Sequence, residues 1–165
     1  MPDFELLNPD AMPTDARLLL RSTPNDFPKQ EHFFVVWQGY LVVYDQQLHY
    51  NPEDDVSKWI RDQVEFPLAI VAWLPWALEE KFFKAPNEGG IPAGSISYRD
   101  TLEGESLLMN RSGGVAGYRL VNMSRYDYIS SVDYQDIQFT DQWLFDQGLL
   151  DQFKAWAEQY RNGEL

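Results

Sequence analysis

The chain has no cysteine and only two histidines, His32 and His49, among its 165 residues. The first absence removes disulfides, thiolate metal sites and cysteine nucleophiles together. The second leaves little imidazole for ligation or general-base work. His49 with Glu53 and Asp54 offers one nitrogen and two oxygens, but Pro52 and the acids read as a helix start, so no metal site is expected. His32 opens a strand candidate, where a hydrogen-bonded or exposed histidine is ordinary. No nucleophile elbow surrounds Ser95, Ser97 or Ser106, which argues against hydrolysis by a triad. The glycine clusters Gly89-Gly90 to Gly94 and Gly113-Gly114 to Gly117 lack the spacing of dinucleotide or phosphate loops and read as turns. No cofactor is expected.

Long apolar runs are missing as well. The longest, Leu68 to Leu78, contains Pro75 and falls short of the roughly 20 residues that span a bilayer. The acidic start Met1-Pro2-Asp3-Phe4-Glu5 lacks the basic and apolar regions of a secretory signal, so a cytoplasmic location is expected. Positive charge is scarce: 13 Lys+Arg face 26 Asp+Glu, a formal charge of -13 at pH 7. Over the roughly 8,500 Å² surface expected for this size, that is about one uncompensated negative charge per 650 Å². Such a field repels phosphate backbones and anionic headgroups, which disfavours direct nucleic-acid or membrane binding, and attracts basic protein surfaces.

What the chain does have is apolar and aromatic content, 44% and 15%, enough for one core in a single domain over residues 1–165. Residues 1–30 carry five prolines and read as an extended arm with a short helix between Thr14 and Arg21. Phe33 to Trp37 and Tyr40 to Tyr44 flank Gln38-Gly39 as a β-hairpin, and their nearly unbroken hydrophobicity predicts cover on both faces and a central place in a sheet. Asn51-Pro52-Glu53-Asp54 predicts a helix start, with Val56, Trp59, Ile60 and Val64 on one helical face. Leu68 to Leu74 leans to helix, and Pro75–Lys84 is a second helical candidate. Strands follow at Ser95–Arg99, Glu105–Asn110 and Tyr118–Met123, the last two forming a second hairpin about Arg111-Ser112-Gly113-Gly114. Ile129–Val132 and Asp136–Phe139 are further short strand candidates. Leu149, Leu150, Phe153, Trp156, Ala157 and Tyr160 make the stripe of a C-terminal helix, with Asp146 as its cap and Asn162-Gly163 as its stop. The expected fold is α+β: mainly an antiparallel sheet of two hairpins with amphipathic helices packed on it. No internal repeat is visible.

Two groups of residues stand out for function. Arg111, Arg119 and Arg125 lie in a locally basic stretch near a glycine turn and form a possible anion pocket, unless they pair with nearby acids. Residues 127–165 hold eight acids against Lys154 and Arg161, interleaved with aromatics. Here Asp127, Tyr128, Asp133, Tyr134, Asp136 and Asp141 combine ring area with steering charge, the needs of a surface that grips a cationic partner. The expectation is a non-enzymatic acidic protein that masks a basic protein surface, like an inhibitor, an immunity protein or a nucleic-acid mimic. The alternatives are a small enzyme using carboxylates, arginine and histidine, and a subunit of a larger assembly, suggested by 25 aromatic residues. Partner identity and oligomeric state are not legible.

Overall fold

A computed structural model describes all residues, 1–165. Its elements run β1 (Arg17–Ser22), β2 (Gln30–Trp37), β3 (Tyr40–Asn51), β4 (Val56–Pro67), α1 (Ile70–Ala77), β5 (Ser97–Leu102), β6 (Glu105–Ser112), β7 (Gly117–Tyr126), β8 (Tyr134–Thr140) and α2 (Leu149–Arg161). The chain is α+β, and its strands form two four-stranded antiparallel sheets rather than one, in the orders β1-β2-β3-β4 and β5-β6-β7-β8. Each meander leads into a helical segment, so the order of elements repeats although the sequence does not.

Two-residue turns start each meander's tightest hairpin. Gln38 and Gly39 (φ 52° and 79°) join β2 to β3, and Glu103 and Gly104 (φ 49° and 86°) join β5 to β6. Both pairs take the left-handed backbone that matches strand twist, and glycine at the second place removes the Cβ strain there. The inner faces of both sheets and both helices share one core, including Phe34, Val43, Phe66, Leu107, Leu120, Phe139, Leu74 and Phe153. The outer face of the first sheet is covered by the N-terminal arm: Leu7 packs with Phe33, Val35, Val42 and Tyr44. This double cover explains the unbroken apolar run of β2 and β3, which are the two interior strands.

Several expected elements differ. Thr14–Arg21 is not a short helix: Leu18 to Ser22 pair with β2 in strand β1, because Leu18-Leu19-Leu20 gain a sheet edge that an isolated helical turn lacks. Residues 56–67 are a strand, not the predicted helix. The Asn51-Pro52-Glu53-Asp54 signal serves a turn instead, with Asn51 Oδ1 accepting the Glu53 N–H (3.1 Å) and Asp54 Oδ1 the Val56 N–H (3.2 Å). Val56, Trp59, Ile60 and Val64 suit a pleated strand as well as a helix, and pairing along all of β3 decides between them. Residues 70–82 are one helical stretch: Pro75 lies inside α1, and a π-helical turn over Leu78–Phe82 follows, closed by Phe83 N–H to the Leu78 carbonyl (2.9 Å). Ile129–Val132 is loop rather than strand, whereas Asp136–Phe139 lies within β8. Gly148, not Asp146, caps α2.

Candidate functional site

The inner face of the first sheet is a ladder of cross-strand rungs. Val36–Leu41–Phe66 and Phe34–Val43–Val64 are apolar and belong to the core. The next rung along the same face is His32–Asp45–Asp62, followed by Gln30–Gln47–Ile60. The core therefore ends at a polar step. Those two rungs face Ile129, Asp136, Ile137 and Gln138 across a cleft of about 270 Å³ between the sheets.

Asp45 and Asp62 stand directly opposite each other on neighbouring strands. Like charges in that position repel. Burial pushes the Asp45 carboxyl up to about 6, against a bond from Gln30 (3.5 Å), with Asp127 and Asp136 adding to the rise. Burial likewise pushes Asp62 up to about 7, against the Gln63 N–H (2.8 Å), with Asp127, Asp45 and Asp136 adding negative charge nearby. His32 is 3% exposed, and its Nδ1 has no hydrogen-bond partner. Burial lowers its imidazole to about 4, opposed by the Gln30 main chain, so the ring is neutral at physiological pH. Gln138 Nε2 on the same cleft is also unpartnered.

The segment expected to bind a partner forms the wall beside this cleft. Asp127, Asp133, Tyr134 and Asp136, together with Arg99 and Arg119, line a groove of about 630 Å³ on the outer face of the second sheet, which no arm covers. One rung of that face runs Arg99–Leu108–Val121–Asp136. Asp127 caps its own loop, its Oδ1 accepting the N–H groups of Ile129 (2.6 Å) and Ser130 (2.7 Å). Tyr134 stacks on Tyr126 with ring centroids 5.8 Å apart, and both are exposed. Tyr128 and Asp141 lie elsewhere. The Tyr128 hydroxyl points to Glu65 Oε1 (2.5 Å) and the Phe4 carbonyl (2.9 Å), while Asp141 takes both ends of the Arg111 guanidinium (2.5 and 2.7 Å).

Arg111, Arg119 and Arg125 are not assembled into one anion pocket, because each has a different carboxylate. Arg111 holds Asp141 and lies over the Tyr118 ring (4.7 Å), and Arg119 Nε donates to Asp136 (2.7 Å). Arg125 is buried and holds both oxygens of Glu105 (2.9 and 3.0 Å), which Tyr40 and Asn122 also meet (both 2.6 Å). Burial alone would raise Glu105, but its bonds from Arg125, Asn122 and Tyr40 outweigh it and lower the carboxyl. Arg125 also donates to the Pro2 carbonyl (2.9 Å), so this network clamps the arm and both sheets together.

His49 is exposed on the far part of β3, and Glu53 and Asp54 lie in the β3–β4 turn. No three acidic or histidine side chains have the arrangement to hold a metal ion. The sequence reading missed Asp45, Asp62 and the role of His32. A signal for the aspartates existed: at period two, Leu41, Val43 and Asp45 share a face, as do Val64, Asp62 and Ile60, so each aspartate interrupts an apolar file. At helical period, by contrast, Asp62 falls away from the face shared by Val56, Trp59, Ile60 and Val64, so the helix expected there hides this signal. No helix is long and apolar enough to cross a membrane. Comparison of the chain with known protein families, with characterised proteins and with solved structures gave no match.

Proposed function

We propose that this is a non-enzymatic acidic binding protein that docks and masks a basic protein surface, in the manner of an inhibitor or immunity protein. The observation that carries this reading is the charge gathered around the 127–136 segment. Asp45, Asp62, Asp127, Asp133 and Asp136 come together from both sheets around the adjoining cleft and groove, where the arginines are Arg99 and Arg119. Of these five acids, only Asp136 has an ion-pair partner. Steering by such a field speeds encounter with a cationic surface and rejects anionic ones. The stacked Tyr126 and Tyr134 beside the acids supply rigid area for the contact.

The test pairs two variants of equal charge and equal aromatic loss against a panel of purified proteins with pI above about 9. Asp133→Asn/Tyr134→Ala alters the docking wall, and Asp54→Asn/Tyr50→Ala alters the tip of the β3–β4 hairpin. The reading expects a panel member that binds in a salt-dependent way and loses at least tenfold in affinity with the first variant only. Equal losses in both variants, or no binding by any member, would refute it.

A further inference from the structure

We infer that the cleft between the sheets is a socket for a single cationic side chain, a guanidinium or alkylammonium group, held between the Asp45–Asp62 rung and the wall formed by residues 129–138. This deepens the docking reading, since the cation would belong to the basic partner, and it rests on that reading only for the source of the group.

Four features converge on this ligand class. First, two facing carboxylates are left without a cation of the protein's own. Arg119 is engaged by Asp136, Arg61 lies on the opposite face of β4 beside Phe33 and Tyr44, and Lys58 stands further out along the hairpin, in register with His49 and in no ion pair with either aspartate. Second, His32 is buried and neutral on the same rung, with an orphaned Nδ1. A neutral imidazole nitrogen accepts an N–H as the carboxylates do. Third, Ile60, Ile129 and Ile137 line the cleft between these polar groups. That pairing of apolar wall and anionic end matches a methylene stem carrying a charged head. Fourth, the donors are too dispersed to share one metal ion, whereas a planar guanidinium spreads its five N–H donors over several acceptors.

The titratable and charged groups at the rung, from every packed element, are neutral His32 on β2, Asp45 on β3, Asp62 on β4, Asp127 in the loop, and Asp136 on β8 with its partner Arg119 on β7. Burial, with the added repulsion of Asp127 and Asp136 on both and of Asp45 on Asp62, keeps these two carboxyls partly protonated near neutral pH. An inserted cation reverses this and releases protons, so capture strengthens as pH rises.

The probe is N-acetyl-arginine methylamide, with N-acetyl-lysine methylamide alongside and N-acetyl-norleucine methylamide as the uncharged control. Titrations are followed by NMR at the isoleucine methyl groups and the His32 ring. The socket predicts saturable shifts at Ile60, Ile129, Ile137 and His32 with at least one cationic probe. It also predicts affinity about tenfold higher at pH 8 than at pH 5, and at least tenfold lower affinity in Asp62→Asn or Asp45→Asn. Absence of saturable shifts with both cations, equal shifts with norleucine, or unchanged affinity in both variants would overturn it. Because the probe is a free amino-acid derivative, the two proposals fail separately. Capture of the probe without protein docking keeps the socket and removes the docking reading; docking without capture does the reverse.

Discussion

Replacing Asp62 by asparagine is expected to stabilise the folded protein, and to do so only where the native carboxyl is ionised. Folding raises this carboxyl from 3.8 to about 7 through burial and the neighbouring acids. An acid that holds its proton more tightly when folded contributes stability that is complete below pH 3.8 and is lost as pH rises through 7. At about 1.4 kcal/mol per pH unit, the full difference would be roughly 4 kcal/mol. The rung is partly open to water, and screening brings the expected figure to about 2 kcal/mol. Asparagine keeps a side-chain oxygen to accept the Gln63 N–H, so the local bond survives the change. Urea unfolding of both proteins at pH 3.5, 6 and 8.5 measures the effect. The variant should match the wild type at pH 3.5 and exceed it by about 2 kcal/mol at pH 8.5. A variant that is no more stable at pH 8.5, or one whose advantage is independent of pH, would refute the claim that two opposed carboxylates strain this rung.

Arg125→Met should lower stability by about 3–5 kcal/mol, because Glu105 is left buried without its cation; a thermal melt that shifts by less than a few degrees would contradict the clamp. Gly117→Ala should be strongly destabilising, since its Cβ would meet the Phe139 carbonyl oxygen at 2.2 Å, while Gly113→Ala, with open space, should be close to neutral; equal melting points would count against the close approach of β7 and β8. Leu7→Ala should cost about 2–3 kcal/mol in urea unfolding by opening the arm's contact with Phe33, Val35, Val42 and Tyr44, and an unchanged midpoint would show that the arm does not cover that face.

Some of this architecture can be read residue by residue. Phe33 to Trp37 and Tyr40 to Tyr44 are apolar at every step, which only strands covered on both sides require, and Gln38-Gly39 between them carries the backbone freedom of a tight turn. The stripe from Leu149 to Trp156 commits α2 at a period that no strand satisfies. The Asp127 to Asp136 segment declared its density of acids and tyrosines without any pattern for what faces it.

Local chemistry by itself determined the α+β class, the strongly acidic surface and the two interior strands of the first sheet. Tertiary structure decided whether Val56 to Val64 would be helix or strand, which arginine met which carboxylate, and where the core would stop. The physical reason is range. Asp45 and Asp62 are neighbours only because an antiparallel register carries the chain back along itself, and Asp127 and Asp136 join them only through the packing of a second sheet. Periodicity reports which residues share a face, whereas the charge repelled or welcomed at that face depends on partners that arrive from elsewhere in the chain.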